Sequence, residues 1–394
     1  MRKALLALAI GGFGIGTTEF VIMGILPEIA EAFQISIPKA GHFIAAYALG
    51  VVVGAPILTT IGNRWPANKV LFALMIWFTI FNTLSAFSNN YTSFLIMRFL
   101  SGLPHGAFFG IGAVVAGKLS KEGKEAQAIS IMFGGLTVAN VVGVPLATFL
   151  GKHFQWNITF LIVGIIGLLT LASVKLWMPT MEKSSSSSIS QEFSIFKRSE
   201  LWLSILLTAI GTGGFFAWYS YIAPLITNVA GHPETVVPYA MILAGLGMVF
   251  GNFIGAKLAE KMLPIYAVMI TLVMMALMLV ANTYLATDKT AVLIMTFIIG
   301  TVSFCLVTPI QIVIIKASKG AETLGSSLNQ SSFNIGNALG AYLAGLPIAM
   351  GYGFTSADLV GAGIACSGLF IAIAILMVRK KKEKKRALMK ASYS

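Results

Sequence analysis

Twelve apolar stretches, each about 20 residues long and separated by short polar breaks, dictate most of what this chain can become. They fall near 4–26, 39–60, 69–87, 93–116, 126–148 and 159–177, then near 201–222, 237–256, 264–282, 290–314, 323–347 and 358–378. A bilayer core of ~30 Å needs a helix of that length to cross it. Lipid offers no partner for unpaired backbone N–H and C=O groups, so each stretch must be a helix. With 57% hydrophobic and 10% charged residues over 394 positions, a water-soluble core could not hide this much apolar surface. The expected fold class is an all-α membrane protein of twelve transmembrane helices.

Charge placement sets the expected orientation. With the N-terminus inside, inside segments hold 23 of the 27 Lys and Arg residues, outside loops hold Lys39, Lys152 and Lys289, and Arg98 lies within a span. The positive-inside rule then predicts both termini in the cytoplasm. A net charge of +13 spread in this way speaks for lipid headgroups rather than nucleic acid, and the basic tail 379–394 reads as a topology anchor. Residues 1–177 and 201–378 are expected to form two six-helix bundles. Between them, 178–200 contains Ser184–Ser188 and reads as a flexible cytoplasmic linker. Met1-Arg2-Lys3 before an apolar run has the outline of a secretory leader. The run carries Glu19 and no small-residue cleavage site, so it is read as a retained first helix.

Chemistry-bearing patterns are sparse. Cys305 and Cys366 sit in apolar runs and the four histidines are scattered, so no disulfide, metal or cofactor is expected. Gly112-x-x-x-x-Gly117-Lys118 has the outline of a phosphate-binding loop. Leu119 stands where a Ser or Thr should hold magnesium, and no strand precedes it. No cluster of acids, histidines or nucleophiles at one interface points to an enzyme.

Shifting the chain by 197 residues superposes Pro27 on Pro224, Asn63-Arg64 on Glu260-Lys261, and Glu125 on Glu322. Three coincidences at one offset argue for duplication of a six-helix unit. Carriers built from two such halves bind their substrate near the midplane between them. The turn Thr59-Thr60-Ile61-Gly62-Asn63-Arg64 resembles the signature loop of the major facilitator superfamily, Gly-x-x-x-Asp-Arg-x-Gly-Arg-Arg/Lys. Asn63 replaces the acid and Thr59 the first glycine, whereas Glu260-Lys261 keeps the charge pattern in the second half. The resemblance implies a gating role for Asn63, Arg64, Glu260 and Lys261. Arg98 through Gly102 resembles the Arg-x-x-x-Gly of helix four in the drug/proton antiporter branch, and Gly135 through Pro145 resembles that branch's helix-five motif. Gly16-Thr17-Thr18-Glu19-Phe20, Ala48 through Pro56, and Gly102 through Gly110 are similar to bacterial arabinose efflux permeases. This resemblance spans nearly the whole chain. It implies the major facilitator fold, two pseudo-symmetric six-helix bundles, a bacterial inner-membrane location, and export of a solute in exchange for protons. A proton-linked importer is the alternative.

Ionisable groups inside hydrocarbon cost several kcal/mol unless paired or hydrated, so the few that occur are informative. Glu19 is the one acid deep within a span and Arg98 the one base clear of span ends; Asp358 is expected at the mouth of the last span, within reach of water. Glu19 lies ~12 Å and Arg98 ~8 Å below the same surface at 1.5 Å per residue. A partnership is therefore expected. Gly12 and Gly16 on the Glu19 face would let a neighbouring helix approach. Two roles fit: Glu19 binds and releases the coupling proton while Arg98 tunes it, or the pair is a static lock between spans one and four. His105 shares Arg98's helix face and is a second proton candidate or a packed neutral ring.

Amides and aromatics mark the candidate substrate surface. Gln330, Asn334 and Asn337 share one face of span eleven, Asn140 in span five aligns with Asn334, Trp218, Tyr219 and Tyr221 lie at span seven, and Gln311 lies in span ten. Uncharged donors and aromatic faces suit a small neutral or amphipathic solute such as a sugar, nucleoside or drug. Interhelical hydrogen bonding is the other use of amides in membranes. The expected partners are that solute, protons and the bilayer, with the chain a monomer.

Overall fold

The computed structural model describes residues 2–35, 37–182 and 194–391; the Ser184–Ser188 run lies outside the described residues. Twelve long helical bodies occur among the described residues. Helices 1 to 4 are Arg2–Gly24, His42–Gly62, Ala67–Ser85 and Tyr91–Leu119. Helix 5 runs over 125–153 in three pieces and helix 6 is Ile158–Trp177. Helices 7 to 9 are Ser199–Tyr219, Val237–Lys261 and Pro264–Leu285, and helix 10 is Lys289–Phe304 continued by Val307–Ala317. Helix 11 is Glu322–Ala349 and helix 12 is Ser356–Ala391. Side chains such as Ile165, Leu168, Leu169 and Leu277 are more than half exposed, as suits a protein whose solvent is lipid.

Eleven of the twelve are long and apolar enough to cross a membrane on composition alone; helix 11 is the exception. Its Ser326, Ser327, Asn329, Gln330, Ser331, Ser332 and Asn334 are all buried. Protein rather than lipid surrounds its polar groups, so hydropathy does not limit it.

Prolines explain the two broken helices. Pro145 has no N–H for the Val141 carbonyl, and the turn before it widens into the π segment Ala139–Gly143. Pro309 likewise cannot donate to Cys305, and helix 10 breaks at Cys305-Leu306. At the water-facing starts, Asn90 and Ser93 form a reciprocal capping box on helix 4, and Asp288 accepts from Thr290 N and Ala291 N on helix 10.

Each half carries the same internal seam. A Cβ on Gly50 or Gly54 of helix 2 would strike the Phe99 and Leu103 carbonyl oxygens of helix 4. A Cβ on Gly247 or Gly251 of helix 8 would strike the Phe297 and Thr301 carbonyls of helix 10. These glycine pairs are again 197 residues apart, a coincidence that deepens the duplication argument. Gly12 and Gly16 play the expected part: a side chain there would meet Met132 O at 2.7 Å and Leu136 Cα at 3.0 Å, so helix 1 lies close on helix 5.

Two expected boundaries move. Glu260 and Lys261, expected in a turn, occupy the last turn of helix 8, which runs on until the chain reaches Pro264. Helix 12, expected to stop near 378, continues through the basic run to Ala391, since Lys and Arg are good helix formers once clear of hydrocarbon.

Candidate functional site

The first cluster forms around Arg98, fully buried in helix 4. Its Nη1 donates to Thr18 Oγ1 at 3.0 Å and its Nη2 to Thr18 O at 3.1 Å. The guanidinium lies over the Tyr47 ring at 4.5 Å and the Phe160 ring at 5.4 Å, a favourable use of a desolvated cation. Thr18 Oγ1 donates in turn to Asn82 Oδ1 at 2.6 Å, and Asn82 Nδ2 donates to Phe78 O at 2.8 Å. A relay thus joins helices 4, 1 and 3.

The depth match between Glu19 and Arg98 holds, yet the expected direct pair does not form: among the described residues Glu19 makes no ion pair or hydrogen bond, although the two charges act on each other through space. Successive helix residues are turned by about 100°. Thr18, one position earlier, presents both a hydroxyl and a carbonyl to the guanidinium and accepts one bond from each Nη, while Nε is left buried without a partner among the described residues. Glu19 is left buried, 6% exposed, and unengaged.

His105 is buried, with Nδ1 3.1 Å from the Tyr47 hydroxyl. Tyr47 therefore links Arg98 to His105 and was missed in the sequence. Its signal was there: Tyr47, Gly50 and Gly54 lie on one face of helix 2, the face pressed on helix 4. Tyr47→Phe keeps the ring under Arg98 and strips His105 of its partner. A loss of about 1–2 kcal/mol is expected, read as a lowered unfolding temperature with the Arg98 contacts intact.

The second cluster is the amide stripe, which divides. Gln311 Nε2 donates to Ser326 Oγ, and its Oε1 accepts from Asn329 Nδ2 at 2.5 Å and Gln330 Nε2 at 3.4 Å. Asn329 Oδ1 in turn accepts from Thr208 at 2.6 Å. Gln311 thus bonds helices 7, 10 and 11 together through Asn329 and Thr208, two residues the sequence reading passed over. Tyr221 is also engaged, its hydroxyl donating to Ala341 O at 3.1 Å. Asn140 Nδ2 and Asn334 Nδ2 bond only the previous turns of their own helices, to Leu136 O and Gln330 O. Their oxygens accept nothing among the described residues. Trp218 is fully buried with Nε1 unbonded, Tyr219 stacks on Phe215 at 5.0 Å, and Asn337 is half-buried. Gln330 approaches the other half beside Gly106 of helix 4.

The third cluster fastens the halves at the face carrying the basic loops. Asn63 Oδ1, just past helix 2, accepts from Thr323 Oγ1 in the first turn of helix 11 at 2.9 Å. At the equivalent place in the other half, Glu260 ends helix 8. Its Oε2 pairs with Lys124 Nζ at 2.9 Å and its Oε1 accepts from Gln127 N, in the first turn of helix 5, at 3.1 Å. Lys124 precedes helix 5 and makes no side-chain cap, so the second half supplies the missing cap to the first. Below these arms, Thr59 meets Ser327 at 2.6 Å, and Ser130 and Asn252 exchange bonds of 3.2 and 2.7 Å. Ser130 and Ser327 are themselves 197 apart. Arg64 and Lys261 are exposed and take no part in these bonds. Glu260→Ala should cost this closed face about 1 kcal/mol, a roughly fivefold shift toward opening. Spin labels at the exposed Lys121 and Lys319 would report it as a longer-distance population.

Asp358 corrects another expectation. It is fully buried rather than at a wet mouth, and accepts from Asn282 Nδ2 at 2.9 Å. Helix 12 begins at Ser356, and its first turn is covered by helix 9.

Comparisons with known proteins agree with this geometry. Residues 8–341 match the family model of the Major Facilitator Superfamily. AraJ of Escherichia coli (strain K12) is 37% identical over 98% of this chain and 97% of its own. The inner membrane transport protein YdhP of the same organism is 38% identical over 96% and 97%. Among solved structures, the E. coli fucose:proton symporter FucP superposes with a TM-score of 0.74 at 15% identity, over 94% of this chain and 98% of that one. With two pseudo-symmetric helical halves latched at one face, a family match over residues 8–341 and relatives 37–38% identical over nearly its whole length, the chain is a multi-pass membrane transport protein and belongs to the Major Facilitator Superfamily.

Proposed function

We propose that this carrier couples the movement of a small, neutral, polar solute to protons, with Glu19 as the coupling group. The observation that supports it is a buried carboxylate with no hydrogen bond or ion pair among the described residues, adjacent to the residue that anchors Arg98. Such a group takes up or releases a proton without first breaking a bond. Each exchange alters the charge balance beside the Arg98–Thr18–Asn82 relay, and so the packing of helices 1, 3 and 4. His105, tied to Tyr47, passes that change along helix 4.

The solute class follows from Asn140, Gln330, Asn334 and Trp218, which offer amide and indole groups with unused capacity and no charge. Inward co-transport is the first reading of direction, because the similarly shaped FucP is a fucose:proton symporter. Outward exchange, implied by the resemblance to the drug/proton antiporter branch, is the second. In either case the latched basic face is cytoplasmic, as the lysine and arginine distribution implies, and one chain suffices.

The test begins with a thermal-shift screen of purified protein against L-arabinose, L-fucose, uridine and chloramphenicol. A stabilising solute then enters proteoliposomes under an imposed pH gradient. Accumulation on the alkaline side supports co-transport, and depletion from it supports exchange. Solute that equilibrates without regard to the gradient removes proton coupling altogether.

A further inference from the structure

Helices 9 and 12 meet near the face opposite the latch. Asn282, close to the end of helix 9, is 1% exposed, and Asp358, in the first turn of helix 12, is 0% exposed. Asn282 Nδ2 donates to Asp358 Oδ2 at 2.9 Å. The other two oxygens, Asn282 Oδ1 and Asp358 Oδ1, are both buried with no hydrogen-bond partner among the described residues. Buried polar atoms are almost always bonded, and a buried carboxylate without a cation is costlier still.

Among the described residues the surroundings supply no counter-charge. Helix 12 packs on helices 7, 9 and 11. Toward this end those helices offer Tyr219, Tyr221, Tyr284 and Tyr342; the last two face outward, and Tyr221 donates to Ala341 O. Glu200, Glu322 and Arg379 lie at the opposite end, where Arg379 and Glu200 pair. Beyond helix 9, Asp288 is spent on capping helix 10, and Lys289 follows it. Among the described residues Asp358 forms no ion pair, and its side-chain hydrogen bond is to Asn282. The start of helix 12 favours an anion, yet none of its first-turn N–H groups bonds this carboxylate. A metal ion would call for more oxygens than two, and no metal-binding group of three side chains exists among the described residues.

We propose that Asp358 is a second proton-binding site, in which a proton on Oδ1 is donated to Asn282 Oδ1 and closes a two-bond ring of carboxylic acid and amide. One proton satisfies both orphaned oxygens. If the amide were turned end over end, its oxygen would confront the carboxylate, and a proton between them would again be needed. The ring staples helix 12 to helix 9 within the second half. It stands apart from Glu19 and does not depend on that residue's role.

Infrared spectra of the full chain in lipid nanodiscs, with isotope-labelled aspartate, test this. At neutral pH a protonated-carboxyl band from aspartate should be present, absent in Asp358→Asn and retained in Glu19→Gln. Asn at 358 can rebuild the ring as an amide pair, so that variant should fold. Asn282→Leu removes the acceptor and should move the band to higher frequency. Unfolding releases the Asp358 proton at any pH above the ordinary carboxylate range of about 4, so wild-type thermal stability should fall as pH rises from there until the buried carboxyl itself ionises, and the fall should be smaller in Asp358→Asn. Folded Asp358→Asn with an unchanged band overturns the proposal, as does a band that Asn282→Leu leaves in place. A band that appears only when sodium is withdrawn would put a metal cation where we place the proton, and would overturn it too.

Discussion

Replacing Glu19 with glutamine should abolish gradient-driven accumulation of the solute while leaving its equilibrative exchange intact. One proton charge crossing 100 mV supplies ~2.3 kcal/mol, enough for an accumulation of about 50-fold. Without a titrating group at position 19, the inside-to-outside ratio should fall to about one on the same reasoning. The protein should remain folded, because Glu19 gives up no hydrogen bond or ion pair among the described residues. Its neighbour Thr18 continues to hold Arg98 at 3.0 and 3.1 Å. Measured in proteoliposomes, counterflow that persists while pH-driven uptake disappears assigns coupling to this carboxylate. Uptake that stays uphill in Glu19→Gln shows that the proton travels elsewhere.

Gly110→Val should hold the basic face open. Gly110 of helix 4 lies against Ser327 of helix 11 so closely that an added Cβ would sit 2.6 Å from the Ser327 Cα and collide with its hydroxyl. The obstacle on the far side includes backbone, which cannot swing away as a long side chain can. Overpacking of this kind costs ~1–3 kcal/mol. The cost falls on the closed arrangement alone, because the two glycine-facing surfaces belong to different halves. The closed-to-open ratio should therefore drop by roughly 5- to 150-fold. Labels at Lys121 and Lys319 would show the longer distance dominating. Gly117→Val, on the same helix with nothing near its added Cβ, is the control and should change little. Should both variants give the wild-type distance distribution, close approach at Gly110 does not govern closure.

Arg64 shows how a motif can mislead even when its neighbourhood is right. The loop pattern drew attention to Asn63-Arg64 and Glu260-Lys261, and in each pair only the first residue reaches across. Asn63, just past helix 2, and Glu260, in the last turn of helix 8, reach toward the starts of helices 11 and 5, whereas Arg64 and Lys261 are exposed. The substitution of Asn for the acid makes one arm a neutral hydrogen bond and leaves the other ionic. The latch is thus symmetric in place and asymmetric in chemistry.

Three buried polar groups depart from their expected partners for a common reason. Arg98, expected to pair with Glu19, bonds Thr18, and Asp358, expected within reach of water, bonds Asn282. Gln311, singled out for the solute, is spent on Asn329 and Ser326. Depth along a helix can be counted in residues, and those counts were good to within a turn. Direction around the helix cannot be read from depth, because one residue turns the side chain by about 100°.

The amino-acid sequence by itself settled the helical class, the number and position of the long segments, and their duplication at an interval of 197, because a bilayer imposes a one-dimensional demand that hydropathy records directly. Helix 11 was read as a span like the rest, although Ser326, Ser327, Asn329, Gln330, Ser331, Ser332 and Asn334 are buried polar residues within it. What the tertiary structure alone decided is which polar groups meet: the Arg98–Thr18 anchor, the Asn282–Asp358 pair, and the two arms that fasten the basic face. Those choices follow from how each helix is rotated against its neighbours, and rotation is set by close packing at glycines and broken turns at prolines across residues far apart in the chain.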